Sequence, residues 1–265
     1  MSDNIVDTSK PSAGRIYDYL LGGSHNFEID RQAAEQIIAV SPYVQKLARL
    51  QRWALHDIAS ELGNNRGFDV IIDFASGLPT VDNIHTNVPK GTTVIYSDFD
   101  PLVVEYGQAI LKDTPDVYYF ENDASRPEEL LERPEVLNIL DGRRKVAFGY
   151  WGFNTFLTDE ELTHSLRALY DWAAPGSCLA YNAQSVLDVT KPDVIAAMKL
   201  YEQMGAPFRV RSLEKHLALL QPWKLDKSGF ISLLEWHGFD ESEFANIDKE
   251  SFGPTMGDFG AYLTK

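Results

Sequence analysis

The stretch Val70-Ile-Ile-Asp-Phe-Ala-Ser-Gly-Leu-Pro-Thr80 is a short apolar run that ends in an acid and continues into a glycine-containing turn. A second stretch, Val94-Ile-Tyr-Ser-Asp-Phe-Asp-Pro101, repeats this pattern 25 positions later, counted from Asp73 to Asp98. Apolar runs of this length between turns are typical of buried parallel strands. Together they predict two strands joined by a helix near residues 79–87, with a carboxylate at the tip of each strand.

The rest of the chain continues this alternation of apolar runs and amphipathic stretches. Strands are predicted at 68–74, 93–98, 117–122, 145–151 and 177–183, with further strands near 229–235 and 259–263. Helices are predicted between them, and one opens at the capping box Thr158-Asp-Glu-Glu161. Such alternation is typical of a parallel sheet covered by helices on both faces. The sequence therefore predicts an α/β protein with a Rossmann-like, doubly wound, mostly parallel sheet.

The chain divides into three predicted regions. Residues 1–14 are polar and are expected to form a disordered tail. Residues 15–65 carry apolar side chains at helical spacing, which predicts an N-terminal helical cap over the strand ends. Residues 66–265 hold the strands and are expected to form the α/β domain that binds the ligand.

The charge and cysteine content limit the setting in which the chain works. Its 265 residues include 39 acids and 24 bases, a formal net charge of −15. Nucleic-acid binding depends on cations that meet phosphates, so this balance argues against a nucleic-acid partner. The one cysteine, Cys178, makes no intramolecular disulfide, and no stretch approaches the roughly 20 apolar residues of a membrane span. We therefore expect a cytoplasmic protein without a membrane partner, while its oligomeric state is not indicated.

The loop after the first strand is the predicted centre of the site, because ligands of open parallel sheets bind at the carboxyl ends of the strands. Gly77 and the small residues Ala75 and Ser76 let the backbone approach a ligand closely. No G-x-G-x-x-G motif is present, which disfavours a dinucleotide. S-adenosylmethionine (SAM) carries an amino group, a carboxylate and a sulfonium cation instead, and Asp73 suits such a cationic ligand. The alternative is that Asp73 only holds the turn.

The second and third strands end in acids as well. Asp98 ends an apolar run and is the candidate acceptor for ribose hydroxyls, and Phe99 beside it is the candidate to pack on adenine. Asp100 precedes Pro101, which indicates a helix cap. After the third strand, Asp123 is a candidate acceptor for the adenine amino group or simply a turn residue. Its neighbour Ala124 is expected at the same cofactor site.

Two further stretches are candidates to line the site. After the fourth strand, Tyr150 and Trp151 either line the adenosine or substrate pocket or are core aromatics, and both interpretations stay open. The segment Arg15–Phe27 is expected to close over the cofactor as a lid. Its candidate ligand-binding residues are Arg15, Tyr17, Tyr19, His25 and Asn26. The six histidines form no H-x-x-x-H or H-E-x-x-H pattern, so no metal site is expected.

The run Arg15-Ile-Tyr-Asp-Tyr-Leu-Leu-Gly-Gly-Ser-His-Asn-Phe27 resembles the N-terminal signature of the bacterial S-adenosyl methyltransferase family, formerly a domain of unknown function. The resemblance continues along most of the chain, through Asp30-Arg31, Arg49-x-x-Arg52, Gly77-Leu-Pro-Thr80, Asn83-x-His85, Asp98-Phe-Asp-Pro101, Asp123 and Ala174-Pro-Gly-Ser177. It implies a class I methyltransferase fold with SAM as cofactor, and it does not identify a substrate.

The chain differs from the family's usual pattern at two places. The family usually has glycine where this chain has Ala75, and this difference is expected to narrow the loop slightly. It usually has a His-Phe pair where this chain has Thr155-Phe156. If that histidine takes part in chemistry, its replacement affects catalysis more than binding.

The leading interpretation is a SAM-dependent methyltransferase acting on an unidentified small or medium-sized molecule. The sulfonium already activates the methyl group, so holding the acceptor in line with it does most of the work. No general base is identified. The alternative is a SAM-binding protein without transferase activity, such as a sensor or structural partner. A nucleotide-dependent oxidoreductase is a third interpretation, which the missing glycine motif disfavours.

Overall fold

The structure, a computed structural model, describes residues 10–79, 83–185, 190–236 and 258–265. Its strands are β1 (Val70–Phe74), β2 (Thr93–Asp98), β3 (Val117–Glu121), β4 (Ala147–Tyr150), β5 (Cys178–Gln184), β6 (Lys224–Leu225), β7 (Ile231–Ser232) and β8 (Asp258–Thr264). Its α-helices are α1 (Ala13–Leu20), α2 (Glu28–Val40), α3 (Val44–Ser60), α4 (Pro101–Leu111), α5 (Pro127–Leu131), α6 (Pro134–Leu140), α7 (Asp159–Trp172), α8 (Pro192–Gln203), α9 (Leu213–Leu219) and α10 (Leu233–Trp236). None of these helices is long and apolar enough to cross a membrane.

The strands form one sheet in the order β3-β2-β1-β4-β5-β8-β6, and β7 also pairs with β8. Strands β1 to β5 are parallel, and β8 runs antiparallel to β5. The chain winds outward from β1 in both directions, first to β2 and β3 and then to β4 and β5. The crevice between β1 and β4 is therefore the switch point at which ligands of such sheets bind. The predicted doubly wound, mostly parallel α/β sheet is confirmed.

Buried side chains cover both faces of the sheet. One cluster joins Ala54 and Ile58 of α3 to Ile71 of β1 and Val103 of α4. The cluster on the other side includes Ile72, Phe148, Leu166 and Leu179. Because α3 shares a core with the sheet, the helical segment before β1 is joined to the strands through apolar packing.

Helices α1 and α2 build a smaller cluster of their own. It contains the buried side chains of Ile16, Leu20, Ala34 and Ile37, and Tyr201 of α8 packs against it. The N-terminal helices thus contact the C-terminal half of the chain. Most of the predicted tail 1–14 lies outside the described residues, and α1 already begins at Ala13.

The predicted helix near residues 79–87 is wrong for the part that is described. Ile84–Thr86 forms a single 3-10 turn, and residues 80–82 lie outside the described ranges. The hydroxyl of Tyr96 on β2 accepts the backbone N–H of His85 at 2.9 Å. A longer α-helix would use that N–H internally, so the contact with β2 competes with helix formation.

A buried ion cluster fastens α1 to the sheet domain. The guanidinium of Arg15 donates to Asp30 at 2.8 Å and to Asp100 at 2.9 Å. A third nitrogen donates to the carbonyl of Lys10 at 2.9 Å. The expectation that Arg15 binds the ligand is therefore wrong, because its donors are directed to this cluster. It connects α1, α2 and the start of α4.

Cys178 behaves as a buried apolar residue. Its side chain lies in the core at the start of β5, and burial raises the pKa of its thiol to about 12. The thiol is therefore protonated at neutral pH, which is unfavourable for a nucleophile.

Candidate active site

A cavity opens at the carboxyl ends of β1, β2 and β4, beneath α1, α3 and α8. Eight of the residues predicted for the cofactor line it, namely Tyr17, Asp73, Ala75, Ser76, Gly77, Asp98, Phe99 and Trp151. Its remaining walls are mostly apolar and include Ile16, Leu20, Val44, Leu47, Phe156, Met198, Tyr201 and Phe208. The cavity therefore has a polar end at the sheet and an apolar end under the helices.

The loop after β1 is held by hydrogen bonds from β2 and β3. The N–H of Ser76 donates to the carbonyl of Ser97 at 2.9 Å, and the N–H of Gly77 donates to Asp98 at 3.1 Å. The hydroxyl of Tyr119 on β3 donates to the carbonyl of Gly77 at 2.8 Å. Ala75 and Gly77 have φ of 49° and 62°, in the left-handed region. Alanine is thus held in a conformation that glycine adopts at lower cost.

Asp73 is buried at the carboxyl end of β1, beside a glycine of β4. A Cβ at position 149 would lie 2.1 Å from Oδ1 of Asp73, so Gly149 makes the space that this carboxyl group occupies. Burial raises the pKa of Asp73 to about 7, although Ser76 and the positive charge of Arg52 lower it. The arrangement keeps an acid in a buried position, where a nearby cation favours its ionised form.

Arg52 supplies a positive charge to the same cavity. Its side chain is buried, and its guanidinium donates to Asn83 at 2.9 Å and lies 5.5 Å from the ring centroid of Tyr17. Its Nε has no hydrogen-bond partner among the described residues. The candidates from the sequence do not include this residue. Its spacing in the sequence indicates burial, because Arg52 lies on the same face of α3 as the buried Ala48 and Leu55.

Asp98 and Asp100 have different roles at the end of β2. Asp98 is buried and accepts the N–H groups of Gly77 and Asp100, and burial raises its pKa to about 6. Asp100 accepts the N–H of Leu102 at 3.0 Å as the cap of α4, as the sequence predicts. Phe99 stands on the cavity rim with 63% of its surface exposed, so its ring is free to contact a ligand.

Trp151 and Tyr150 point to opposite sides of the sheet. Trp151 lines the cavity and donates its indole N–H to the carbonyl of Gln51 at 3.1 Å. Tyr150 is fully buried in the core on the other face, and its hydroxyl donates to Ser165 at 3.1 Å. For Tyr150 the core interpretation is therefore the correct one.

The third strand places its predicted residues away from the cavity. Ala124 belongs to the core, and its carbonyl accepts from Ser165 at 2.7 Å. Asp123 is exposed, accepts the N–H of Ser125 at 2.8 Å and lines a separate shallow cleft with His164. Asp123 therefore stabilises the turn after β3, and its contact with adenine stays a prediction.

Three predicted lid residues do not line the cavity. Tyr19 donates to Glu35 at 2.5 Å on the surface. The ring of His25 packs edge-on against Tyr106, and Asn26 donates to Asp18 at 2.9 Å. Asn26 fixes the turn after α1, Tyr19 bonds α2 and His25 packs on α4, so their contact with the cofactor stays a prediction. Tyr17 alone among the predicted polar side chains of this segment lines the cavity.

The buried acids give the unliganded protein a testable pH dependence. Asp73 has its pKa raised by burial, so its contribution to stability is present at low pH and lost as pH rises between about 4 and 7. Asp73→Asn removes this titration. We expect the difference in melting temperature, variant minus wild type, to increase across this pH range and to stay constant above it. Parallel pH profiles without ligand would contradict the burial of an ionisable Asp73.

The described part of the chain contains no group of His, Cys, Asp and Glu side chains that could hold a metal ion.

The strand order and the cavity at the switch point define a Rossmann-like fold of the class I methyltransferase type. The plantazolicin methyltransferase BamL, whose crystal structure contains a triazolic desmethylPZN analog and SAH, shares this fold with a TM-score of 0.53. That match covers 96% of each chain at 10% sequence identity. At this identity the likeness concerns the fold alone.

The sequence model of the S-adenosyl methyltransferase family matches residues 1–257, so the chain belongs to this family. A candidate methyltransferase from Thermobifida fusca YX is 28% identical, with a TM-score of 0.86 over 98% of this chain and 97% of that chain. A DUF574 family protein from Streptomyces avermitilis MA-4680 is 26% identical, with a TM-score of 0.86 over 98% of this chain and 99% of that chain. No curated protein sequence matches the chain. The cofactor of the family is SAM, as the sequence predicts.

Proposed function

We propose that this protein is a SAM-dependent methyltransferase that binds SAM at the sheet end of the cavity and a small acceptor molecule at its helical end. The proposal rests on the arrangement of three buried side chains, Arg52, Asp73 and Asp98, around the loop after β1. This group combines a guanidinium and two carboxyl groups within a cavity that is otherwise mostly apolar.

The residues at the sheet end fit the charges of SAM. The carboxyl group of Asp73 suits the cationic amino group, and the unpartnered Nε of Arg52 suits the carboxylate. Asp98 ends β2, where acids of nucleotide-binding folds accept ribose hydroxyls. The exposed ring of Phe99 offers a face for adenine. The φ of 62° at Gly77 brings the loop backbone close to the same space.

When bound, SAM supplies a methyl group that its sulfonium has already activated. The protein must then hold an acceptor atom in line with that group and keep water out. The apolar residues of α1, α3 and α8 would exclude water from the acceptor side. The net charge of −15 favours a small molecule over a nucleic acid. A cytoplasmic location is proposed on the single, buried thiol.

The space between Asp73 and Gly149 provides a test of the cofactor site. Gly149→Ala would place a Cβ 2.1 Å from the carboxyl oxygen, so Asp73 must turn away. We expect a loss of SAM affinity of about 1.5–3 kcal/mol, the scale of hydrogen bonds to a charged group. In a double-mutant cycle measured by calorimetry, Gly149→Ala should cost little more once Asp73→Ala is present. Additive losses of SAM affinity in the double variant would show that Gly149 does not act through Asp73.

Methyl transfer itself is tested with methyl-labelled SAM and a small-molecule extract of cells. Label should move to an extract component with the wild type and not with Asp98→Ala. Tight SAM binding without any labelled product, across extracts from several growth conditions, would instead favour a SAM-binding sensor or structural partner.

A further inference from the structure

The helical end of the cavity presents a cluster of aromatic rings. Phe156, Tyr201 and Phe208 lie with ring centroids 5.7–6.1 Å apart, and all three line the cavity. The same cavity is also lined by aliphatic side chains, for example Leu20 and Met198. Rings at these separations offer faces and edges to a flat aromatic ligand.

Two residues that line the cavity each have a side-chain oxygen that is buried without a hydrogen-bond partner in the described structure. Thr155 is fully buried, and its Oγ1 has no partner. Oε1 of Gln184, at the end of β5, is in the same state. Both residues line the cavity. A buried polar atom without a partner is unfavourable, so these atoms favour a ligand that supplies the missing hydrogen bond.

The surrounding polar groups are already engaged as donors. The side-chain amide of Asn154 donates to the carbonyl of Asn182. That of Asn182 donates to Asp258 at 2.6 Å, and that of Gln51 donates to the same carboxyl group at 2.7 Å. The oxygens of both asparagines are unpartnered as well. The amide oxygens of Asn154, Asn182 and Gln184 can only accept, so the partner that they lack is a hydrogen-bond donor, and the hydroxyl of Thr155 can accept as well.

We propose that the methyl acceptor is an aromatic molecule whose ring carries a hydroxyl or amino group, and that this group donates a hydrogen bond to Thr155 or Gln184. The assignment rests on the proposed function, since it concerns the acceptor of the same cavity. The aromatic cluster holds the ring, and the two oxygens select the donor. Thr155 and Gln184 are thus specificity-determining residues.

The test compares two probes that differ in the donor, 2-naphthol and 2-methoxynaphthalene. Their affinities are measured by calorimetry on protein saturated with S-adenosylhomocysteine (SAH). We expect 2-naphthol to bind the wild type about tenfold more tightly, which is the effect of one hydrogen bond of about 1.4 kcal/mol. Thr155→Val and Gln184→Leu should together remove this preference, while the affinity for 2-methoxynaphthalene stays the same.

The control is Thr163→Val, because Thr163 is an exposed threonine on α7 and its variant should keep the preference. If Thr155→Val does not fold, Gln184→Leu alone should still reduce the preference. Equal affinity of the two probes for the wild type, or an equal loss for both probes in the variants, would overturn the proposal. A protein that binds no SAH at all would mark failure of the proposed function, which separates the two cases.

Discussion

Asp98→Ala is expected to weaken SAM binding by about 1.5–3 kcal/mol, roughly a ten- to hundredfold rise in Kd. The variant loses the acceptor at the end of β2. It also loses the side chain that accepts the N–H of Gly77 at 3.1 Å, one of the hydrogen bonds that hold the loop after β1. The measurement is a calorimetric titration with SAM above pH 7, where a carboxyl group with a pKa of about 6 is ionised.

Glu121→Ala is the matched control for this variant. Glu121 is the register partner of Asp98 on β3, but its side chain is exposed and does not line the cavity. Its replacement should leave the SAM affinity unchanged. Equal losses in both variants would point to a general effect of negative charge. If the Asp98→Ala variant binds SAM with wild-type affinity, Asp98 is not part of the cofactor site.

Arg15→Ala is expected to lower the free energy of unfolding by about 3–5 kcal/mol, the cost of breaking a buried ion pair by removing one partner. Asp30 and Asp100, both buried, would each lose a guanidinium contact of 2.8–2.9 Å. The same contact raises the expected cost of Asp100→Ala above the roughly 1 kcal/mol of a lost helix cap. Denaturant unfolding of the variant measures the loss directly.

Arg167→Ala provides a control with the same ion-pair distance and a different burial. Arg167 lies 2.8 Å from Asp171, but the two side chains are 60% and 56% exposed. Exposed pairs contribute about 0–1 kcal/mol, so this variant should unfold almost as the wild type does. A comparable loss in the two variants would mean that the cluster around Arg15 does not fasten α1 to the sheet domain.

The strands were predictable because their signal is local. The apolar runs Val70-Ile-Ile and Val94-Ile-Tyr lead into the acids Asp73 and Asp98, and a strand buried on both faces requires such a run. The capping box at Thr158 was predictable for the same reason, since both partners lie within four residues. The connection after β1 was not predictable, because a hydroxyl from Tyr96 fixes His85 across the sheet.

The candidate site was predictable at the strand tips and less so elsewhere. Asp73 and Asp98 follow from the ends of apolar runs and the general geometry of parallel sheets. Tertiary packing decides which face of β4 is turned toward the cavity. The sequence alone therefore does not show whether Tyr150 or Trp151 lines it. The polar groups around α1 were also ambiguous, since Arg15 serves an ion cluster whose members are distant in sequence.

Calorimetric titration of the wild-type protein with SAM, SAH and NAD tests whether the cavity at the carboxyl ends of β1 and β2 is a SAM site. We expect SAM and SAH to bind at one site per chain and NAD to give no heat, because the loop after β1 has carboxyl groups and no G-x-G-x-x-G motif. The same titration of Asp73→Ala should show weaker binding of both adenosyl ligands. Clear binding of NAD with no heat from SAM or SAH would contradict the account.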